Sequence, residues 1–229
     1  MKISCIIAVR DGMPFLTKAL DSIATQSICP FEVLVIDDGS TDASVECARG
    51  HALCPTVLPT QGRGPAGARN TALGVVRGDL ITFLDADDIW RPHKLERQVE
   101  AFVRWPDLDL CLVAAENFAD PPCTIPGDWR LPLLGRHSGE FLLSTAMARS
   151  SLFDRVGLFD ETLFPWGEDT DWFLRVVTAR ACFRHLDEVF VNRRLHTRNL
   201  IRDFANSQRI NTAFTLVARD LARRRSASK

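Results

Sequence analysis

Apolar positions along this chain follow two different periods, and the switches between them mark out its elements. Ile3 to Val9 is an apolar run without alternation, as expected of a strand covered on both faces. Asp11-Gly12 turns the chain, and Pro14 suits the first turn of a helix. In that helix Leu16, Ala19, Leu20 and Ile23 recur at i, i+3, i+4 and i+7 as one buried stripe. Phe31 to Ile36 reads as the second strand and ends at Asp37-Asp38-Gly39-Ser40. Ser40 or Thr41 is placed to cap a short helix that carries Val45 and Ala48 and stops at Gly50. Pro65 opens a third helix through Leu73, closed by Gly74, and Leu80 to Leu84 is a strand. Pro92 starts a helix with Leu95, Val99, Phe102 and Val103 on one face. Trp105-Pro106 ends it, and Leu108 to Ala114 makes one more strand. Strands and helices taking turns in this way predict βαβ units.

The second half is less regular. Between residues 118 and 139 the prolines Pro121, Pro122, Pro126 and Pro132, with Gly127, Gly135 and Gly139, predict a long irregular loop. A loop of that length in a compact domain is either functional or disordered. Phe141 to Ala148 reads as a strand, and Glu168 to Val177 as a helix whose apolar face includes Trp172, Val176 and Val177. Ala181 to Leu195 reads as mostly extended. Residues 201–222 predict an amphipathic helix with Ile210, Phe214, Val217 and Leu221 on one stripe, and 223–229 a disordered basic tail.

Composition narrows the classes. A chain of 229 residues, 46% hydrophobic and 25% charged, has the profile of one ordinary globular domain. Its net charge of −1 offers nucleic acid no bulk attraction. No apolar run reaches the roughly 18 residues of a membrane helix. The seven cysteines are odd in number and form no CxxC pair, which argues against a disulfide framework or zinc site and suits a reducing cytoplasm.

The chemistry gathers in a few segments. Asp85-Ala86-Asp87-Asp88 follows the strand Leu80 to Leu84, and three carboxylates in four residues repel one another unless a cation holds them. Oxygen ligands of this kind suit Mg²⁺ or Mn²⁺, which take the rest of their shell from phosphate oxygens and water; the plain alternative is a solvated turn capping the next helix. Val9-Arg10-Asp11 and Asp37-Asp38 also fall at strand carboxyl ends, where open α/β sheets bind their ligands. Asp38 is suited to accept from a nucleobase N–H or a ribose hydroxyl, or equally to make a tight turn and cap a helix. The segment Gly62 to Asn70 offers helix-start N–H groups and the bidentate donor Arg69 to a phosphate, while Gly67 and Ala68 also suit close helix packing. Glu168-Asp169 starts a helix, as dipole-complementing caps or as a carboxylate base beside a metal. His196 is either an ordinary histidine or an extra metal ligand, whereas His51, His93, His137 and His185 have no such setting.

Taken together these segments resemble the family 2 glycosyltransferases of the GT-A fold. The motifs are Cys5 to Gly12, Val35 to Asp42, Ala68-Arg69-Asn70, Phe83 to Trp90, Val156 to Glu161 and Glu168-Asp169, in that order over nearly the whole chain. The resemblance implies an α/β fold, a Rossmann-like mixed sheet flanked by helices, as one domain over residues 1–222 with the basic tail after it. It implies a nucleotide-diphospho-sugar donor, foremost a UDP-sugar, met by Ala8, Arg10, Asp38, Arg69, Asp85 and Ala86. Asp85 and Asp87 would form the DxD motif, with Asp87 and His196 on a Mn²⁺ or Mg²⁺ ion and Asp169 as the base of an inverting transfer. The acceptor, be it glycan, lipid-linked sugar, protein or small molecule, is expected near residues 118–139 and Phe164 to Gly167.

Two departures from the family pattern bear on this. Arg10-Asp11 stands where the family has a Tyr-Asn-like pair, and the chain contains no Tyr at all. The acceptor side is short and no membrane-pore segment follows, which favours a cytoplasmic enzyme adding one sugar, in at most peripheral contact with a membrane. A non-catalytic nucleotide-sugar-binding module is the alternative. A sugar nucleotidyltransferase fits less well, because Val9 to Met13 is not the Gly- and basic-rich loop such an enzyme needs after its first strand.

Overall fold

The apolar run Ile3–Val9 forms β1, and it lies between two parallel neighbours, β2 (Glu32–Asp37) and β4 (Leu80–Phe83). The structure is a computed structural model and describes residues 1–119, 137–138, 141–163 and 167–196. The expected helix 201–222, the tail 223–229 and most of the expected loop 118–139 lie outside the described residues.

Beyond β2 comes β3 (Thr56–Pro59), also parallel. On the other side β4 pairs antiparallel with β8 (Ala146–Arg149), which pairs antiparallel with β6 (Leu110–Phe118). Next to β6 runs the long parallel β9 (Phe183–Arg194), and β5 (Ile89–Trp90) closes antiparallel onto it. The order is β3-β2-β1-β4-β8-β6-β9-β5, with β7 (His137–Ser138) against β6, nine strands in one mixed sheet among the described residues.

Helices cover both faces, which is why β1 does not alternate. Ile3, Cys5, Ile7 and Val9 join the core with α1 (Leu16–Ala24), α2 (Ser44–Gly50) and α4 (Lys94–Arg104). Ile6 points to the other core, with α3 (Gly64–Leu73), α5 (Ser150–Val156) and α6 (Glu168–Thr178). On α6 the side chains of Trp172, Phe173 and Val176 are wholly buried, and Trp172 stacks on Phe153 at 4.9 Å. Burial of each such side chain contributes about 1.5–3 kcal/mol.

Several sequence expectations need correction. Ser40 and Thr41 do not cap α2, which starts after Ala43 with no side-chain cap. Pro14 lies in the turn before α1, and α4 starts at Lys94, behind His93 in the left-handed region at φ 69°. Val103 is exposed, and α4 instead buries Lys94 and Gln98 beside Leu95 and Phe102. The span Phe141 to Ala148 is a 3₁₀ turn, Leu143–Thr145, followed by β8.

Candidate active site

The carboxyl ends of β1, β2 and β4, the first turns of α3 and α6, and the end of β9 meet at one edge of the sheet. The first two strand ends are joined by backbone, Asp38 N–H donating to the Val9 carbonyl at 2.8 Å. The turn after β1 is fastened through Asp11, whose Oδ1 accepts from the Thr41 N–H at 2.7 Å and the Thr41 hydroxyl at 3.1 Å. The Asp11 N–H in turn donates to Ser40 Oγ at 2.9 Å. The Thr41 backbone bond above all holds the Asp11 carboxyl below its ordinary range. Ser40 and Thr41 therefore anchor this turn. Arg10 is exposed at its rim, and Ala8 is half-buried. Gly12 is needed for close approach: a Cβ there would lie 2.6 Å from Val9 Cγ2 and 3.6 Å from the Ala86 Cβ.

Asp38 is buried, and its carboxylate is shared among the Thr60 hydroxyl, the Arg63 N–H (2.9 Å) and the Gly64 N–H (2.8 Å). It thus ties β2 to the start of α3, while Asp37 makes the tight turn by accepting from the Ser40 N–H at 3.1 Å.

From α3, Arg69 reaches across the edge. Its Nη1 donates to Glu168 Oε1 at 2.9 Å and its Nη2 to Asp85 Oδ1 at 3.2 Å. Burial opposes the guanidinium's charge, but Asp85, Glu168 and Asp169 outweigh it and raise its pKa. Glu168 is buried, and desolvation pushes its carboxyl up against the pull of Arg69. The sequence offers Glu168-Asp169 as dipole-complementing caps or as a carboxylate base; the pairing of Glu168 with Arg69 has no local signal, because the two are 99 positions apart.

The acidic segment after β4 divides by role. Asp85 anchors its N–H on Ser144 Oγ at 3.1 Å and leaves 46% of its side chain exposed. Desolvation first, then the carboxylates of Asp87 and Asp169, raise its pKa against Arg69. Asp87 sets Oδ2 3.0 Å from His196 Nε2. Asp88 turns inward instead: buried, it accepts the Arg194 N–H at 3.0 Å, and desolvation together with Asp87 and Asp85 pushes it well up. His196 is buried and tilts against Phe15 with ring centroids 4.5 Å apart. Asp169 is half-buried at the start of α6, accepts the Thr170 N–H at 2.7 Å, and acts electrostatically on both Arg69 and Asp85.

The predicted residues thus gather at one edge: Arg69, Asp85 and Glu168 in contact, Asp87 on His196, and Asp169 close enough to act on Arg69 and Asp85. Among the described residues no three His, Cys, Asp or Glu side chains gather closely enough to hold a metal ion unaided. Asp87 and His196 offer one oxygen and one nitrogen side by side, a donor set that fits Mn²⁺ or Mg²⁺ when phosphate and water complete the shell.

A model of the family described as glycosyl transferase family 2 matches residues 4–145. The chain belongs to this family. Among its curated relatives, the succinoglycan biosynthesis protein ExoO of Rhizobium meliloti is 33% identical over 198 residues, covering 79% of this chain and 56% of that protein. An uncharacterized glycosyltransferase of Rickettsia prowazekii is 28% identical over 214 residues, 85% of this chain and 64% of the relative. The chain spans less than two thirds of the length of the curated relatives it matches, 64% in the Rickettsia protein, 33% in an uncharacterized glycosyltransferase of Nostoc sp. and 13% in the glycosyltransferase GlyA of Streptococcus pneumoniae. Among solved structures, S. aureus TarS 1–349 in complex with UDP-GlcNAc superposes with a TM-score of 0.69 at 22% identity, over 89% of this chain and 61% of that one. The mannosyltransferase PcManGT of Pyrobaculum calidifontis, in complex with GDP-Man and Mn²⁺, gives 0.64 at 21%, over 91% of this chain and 64% of that one. The fold of this family 2 member is therefore GT-A. No described helix is long and apolar enough to cross a membrane.

Proposed function

We propose that this chain transfers one sugar, with inversion, from a nucleotide-diphospho-sugar to an acceptor hydroxyl, with Asp169 as general base. The observation that supports this best is the convergence of Asp85, Glu168 and Asp169 on the Arg69 guanidinium at a single sheet edge, with Asp87 acting on Asp85 beside it. The complexes of structurally similar proteins with UDP-GlcNAc and with GDP-Man and Mn²⁺ point to the same donor class, and a UDP-sugar is the first candidate.

Each group has a distinct task in this reading. The turn Ala8 to Arg10 and the fastened Asp38 shape the nucleoside end, where Arg10 offers an exposed guanidinium face in place of a Tyr ring. Arg69, kept charged by its carboxylates, faces the diphosphate, with Asp85 and Ala86 lining its approach. Asp87 and His196 would hold Mn²⁺ or Mg²⁺, which when bound stabilises the charge of the leaving diphosphate. Asp169 takes the proton of the acceptor hydroxyl as that oxygen attacks the anomeric carbon from the side opposite the diphosphate. One such displacement inverts the centre.

The test is a panel of UDP- and GDP-sugars with Mn²⁺ or Mg²⁺, scored for nucleoside diphosphate release and transfer. Asp169→Asn should lower transfer about 10²–10⁴-fold, the typical worth of a positioned base, with donor affinity by calorimetry near that of the parent. Transfer by the Asn variant at close to the parent rate would remove Asp169 from the mechanism. Thermal shifts without turnover in the parent would mark a binding module.

A further inference from the structure

Arg194, the last residue of β9, is a large charged side chain buried in the wall of the site. It is 1% exposed. Its backbone N–H donates to Asp88 Oδ1 at 3.0 Å, and its side-chain Nε–H donates to the Asp87 carbonyl at 2.9 Å. Its guanidinium lies 4.8 Å from the Phe15 ring centroid and 4.6 Å from that of Phe118. Leu195 continues the grip, its N–H donating to the Phe118 carbonyl at 2.8 Å. Next in line is His196, whose ring rests on the same Phe15 and whose Nε2 meets Asp87 Oδ2.

We infer that Arg194 is a positioning residue that sets Asp87 and His196 as one preformed pair for a divalent cation. The inference rests on the metal reading above. Asp87 is held by its carbonyl through Arg194 and followed by Asp88, itself pinned to the Arg194 backbone, so little beyond its own side-chain torsions remains free. His196 is set by the same short stretch of chain and the same Phe15 ring. The two donors therefore share one support, and loosening it misaligns both. Arg suits the position because its planar head packs between two rings while Nε–H still points at the carbonyl; a Lys ammonium on a flexible stem does not combine these. Outer groups that orient metal ligands are typically worth 10–100-fold in metal affinity.

The experiment titrates the full chain with Mn²⁺ at saturating UDP, following free Mn²⁺ by electron paramagnetic resonance, and measures UDP affinity without metal by calorimetry. Arg194→Lys should weaken Mn²⁺ binding about 10–100-fold while metal-free UDP affinity stays put. A merely structural role would move both together or neither. Asp87→Asn is the control for the metal reading. If the parent binds Mn²⁺ and Asp87→Asn does not, but Arg194→Lys binds it as the parent does, the positioning role is wrong and the metal reading survives. If the parent binds no Mn²⁺, both fall. Should Arg194→Lys fail to fold, Phe15→Leu removes the ring that Arg194 and His196 share. It should show the same split, and unchanged Mn²⁺ affinity there would overturn the proposal.

Discussion

Lys94 is wholly out of water on α4, its Nζ 3.2 Å from the Thr82 hydroxyl, 2.8 Å from Gln98 Oε1 and 4.1 Å from the Trp90 ring centroid. A neutral amine has two N–H donors, and Thr82 and Gln98 take both. Burial pulls its pKa from 10.5 down to about 7. Between that value and the ordinary one the unfolded chain binds a proton that the folded chain does not, so stability rises with pH, by up to about 1.4 kcal/mol per unit. Above pH about 9 the buried thiols of Cys5 and Cys111, pushed up to about 12 and about 11, keep protons that the unfolded chain releases, and the slope turns over. Urea unfolding between pH 7 and 9 should show the rise in the parent and a flat line in Lys94→Met. Equal slopes would mean that Lys94 is charged in the folded protein. The hydrophobic pattern had no means of placing a lysine here, since an apolar stripe counts Leu95, Val99 and Phe102 and passes over polar side chains buried as a satisfied group.

At the scale of elements, Asn70 explains why two distant motifs occur together. Its Nδ2 donates to the Phe159 carbonyl at 2.9 Å and to Glu161 Oε1 at 3.0 Å, and its Oδ1 accepts the Phe159 N–H at 3.0 Å. Glu161 also binds Arg63, its Oε1 2.6 Å from Arg63 Nη2. So α3, which carries Arg69, is clamped to the segment that leads into α6 and Asp169. Asn70→Ala leaves both Phe159 backbone groups without these partners and should cost about 1–3 kcal/mol, read as a lower urea midpoint at unchanged slope. A midpoint equal to the parent's would show the clamp to be slack. The elements most legible in the sequence are those with long patterns, β1, β2, α1, α3, α6 and β9, together with β4, a four-residue strand whose run is wholly apolar but for Thr82 and leads into the acidic motif. The missed ones are short. β3 has four residues ending in Pro59, β5 has two, and α5 opens on Ser150-Ser151 with seven residues in all. Their positions are set by pairing and packing with distant strands. The candidate site residues stand out in the sequence because they sit in motifs, whereas Arg194 and Ser144 act through contacts 107 and 59 positions away.

Across the whole molecule, charge is distributed in a way that the net value of −1 conceals. The parallel half of the sheet brings Asp85 and Asp87 to the edge, α6 adds Glu168 and Asp169, and Arg69 is shared among Asp85, Glu168 and Asp169 while Asp87 pairs with His196. A diphosphate arriving alone meets carboxylates it repels. A divalent cation arriving alone finds Asp87 and His196 and too few further ligands. Each should therefore raise the other's affinity, and the coupling is reciprocal by thermodynamic necessity. Thermal unfolding reads it directly, because a ligand at 100 times its Kd stabilises the folded state by about 2.7 kcal/mol. For a domain of this size each kcal/mol moves Tm by about 2–4 °C. Mn²⁺ with UDP should thus raise Tm by about 5–11 °C, against small shifts for either alone. In Asp87→Ala the excess of the joint shift over the two separate ones should vanish, with the starting Tm near that of the parent because Asp87 is partly exposed. A UDP shift of full size in the presence of EDTA would show that donor binding here runs on Arg69 and the backbone without a cation.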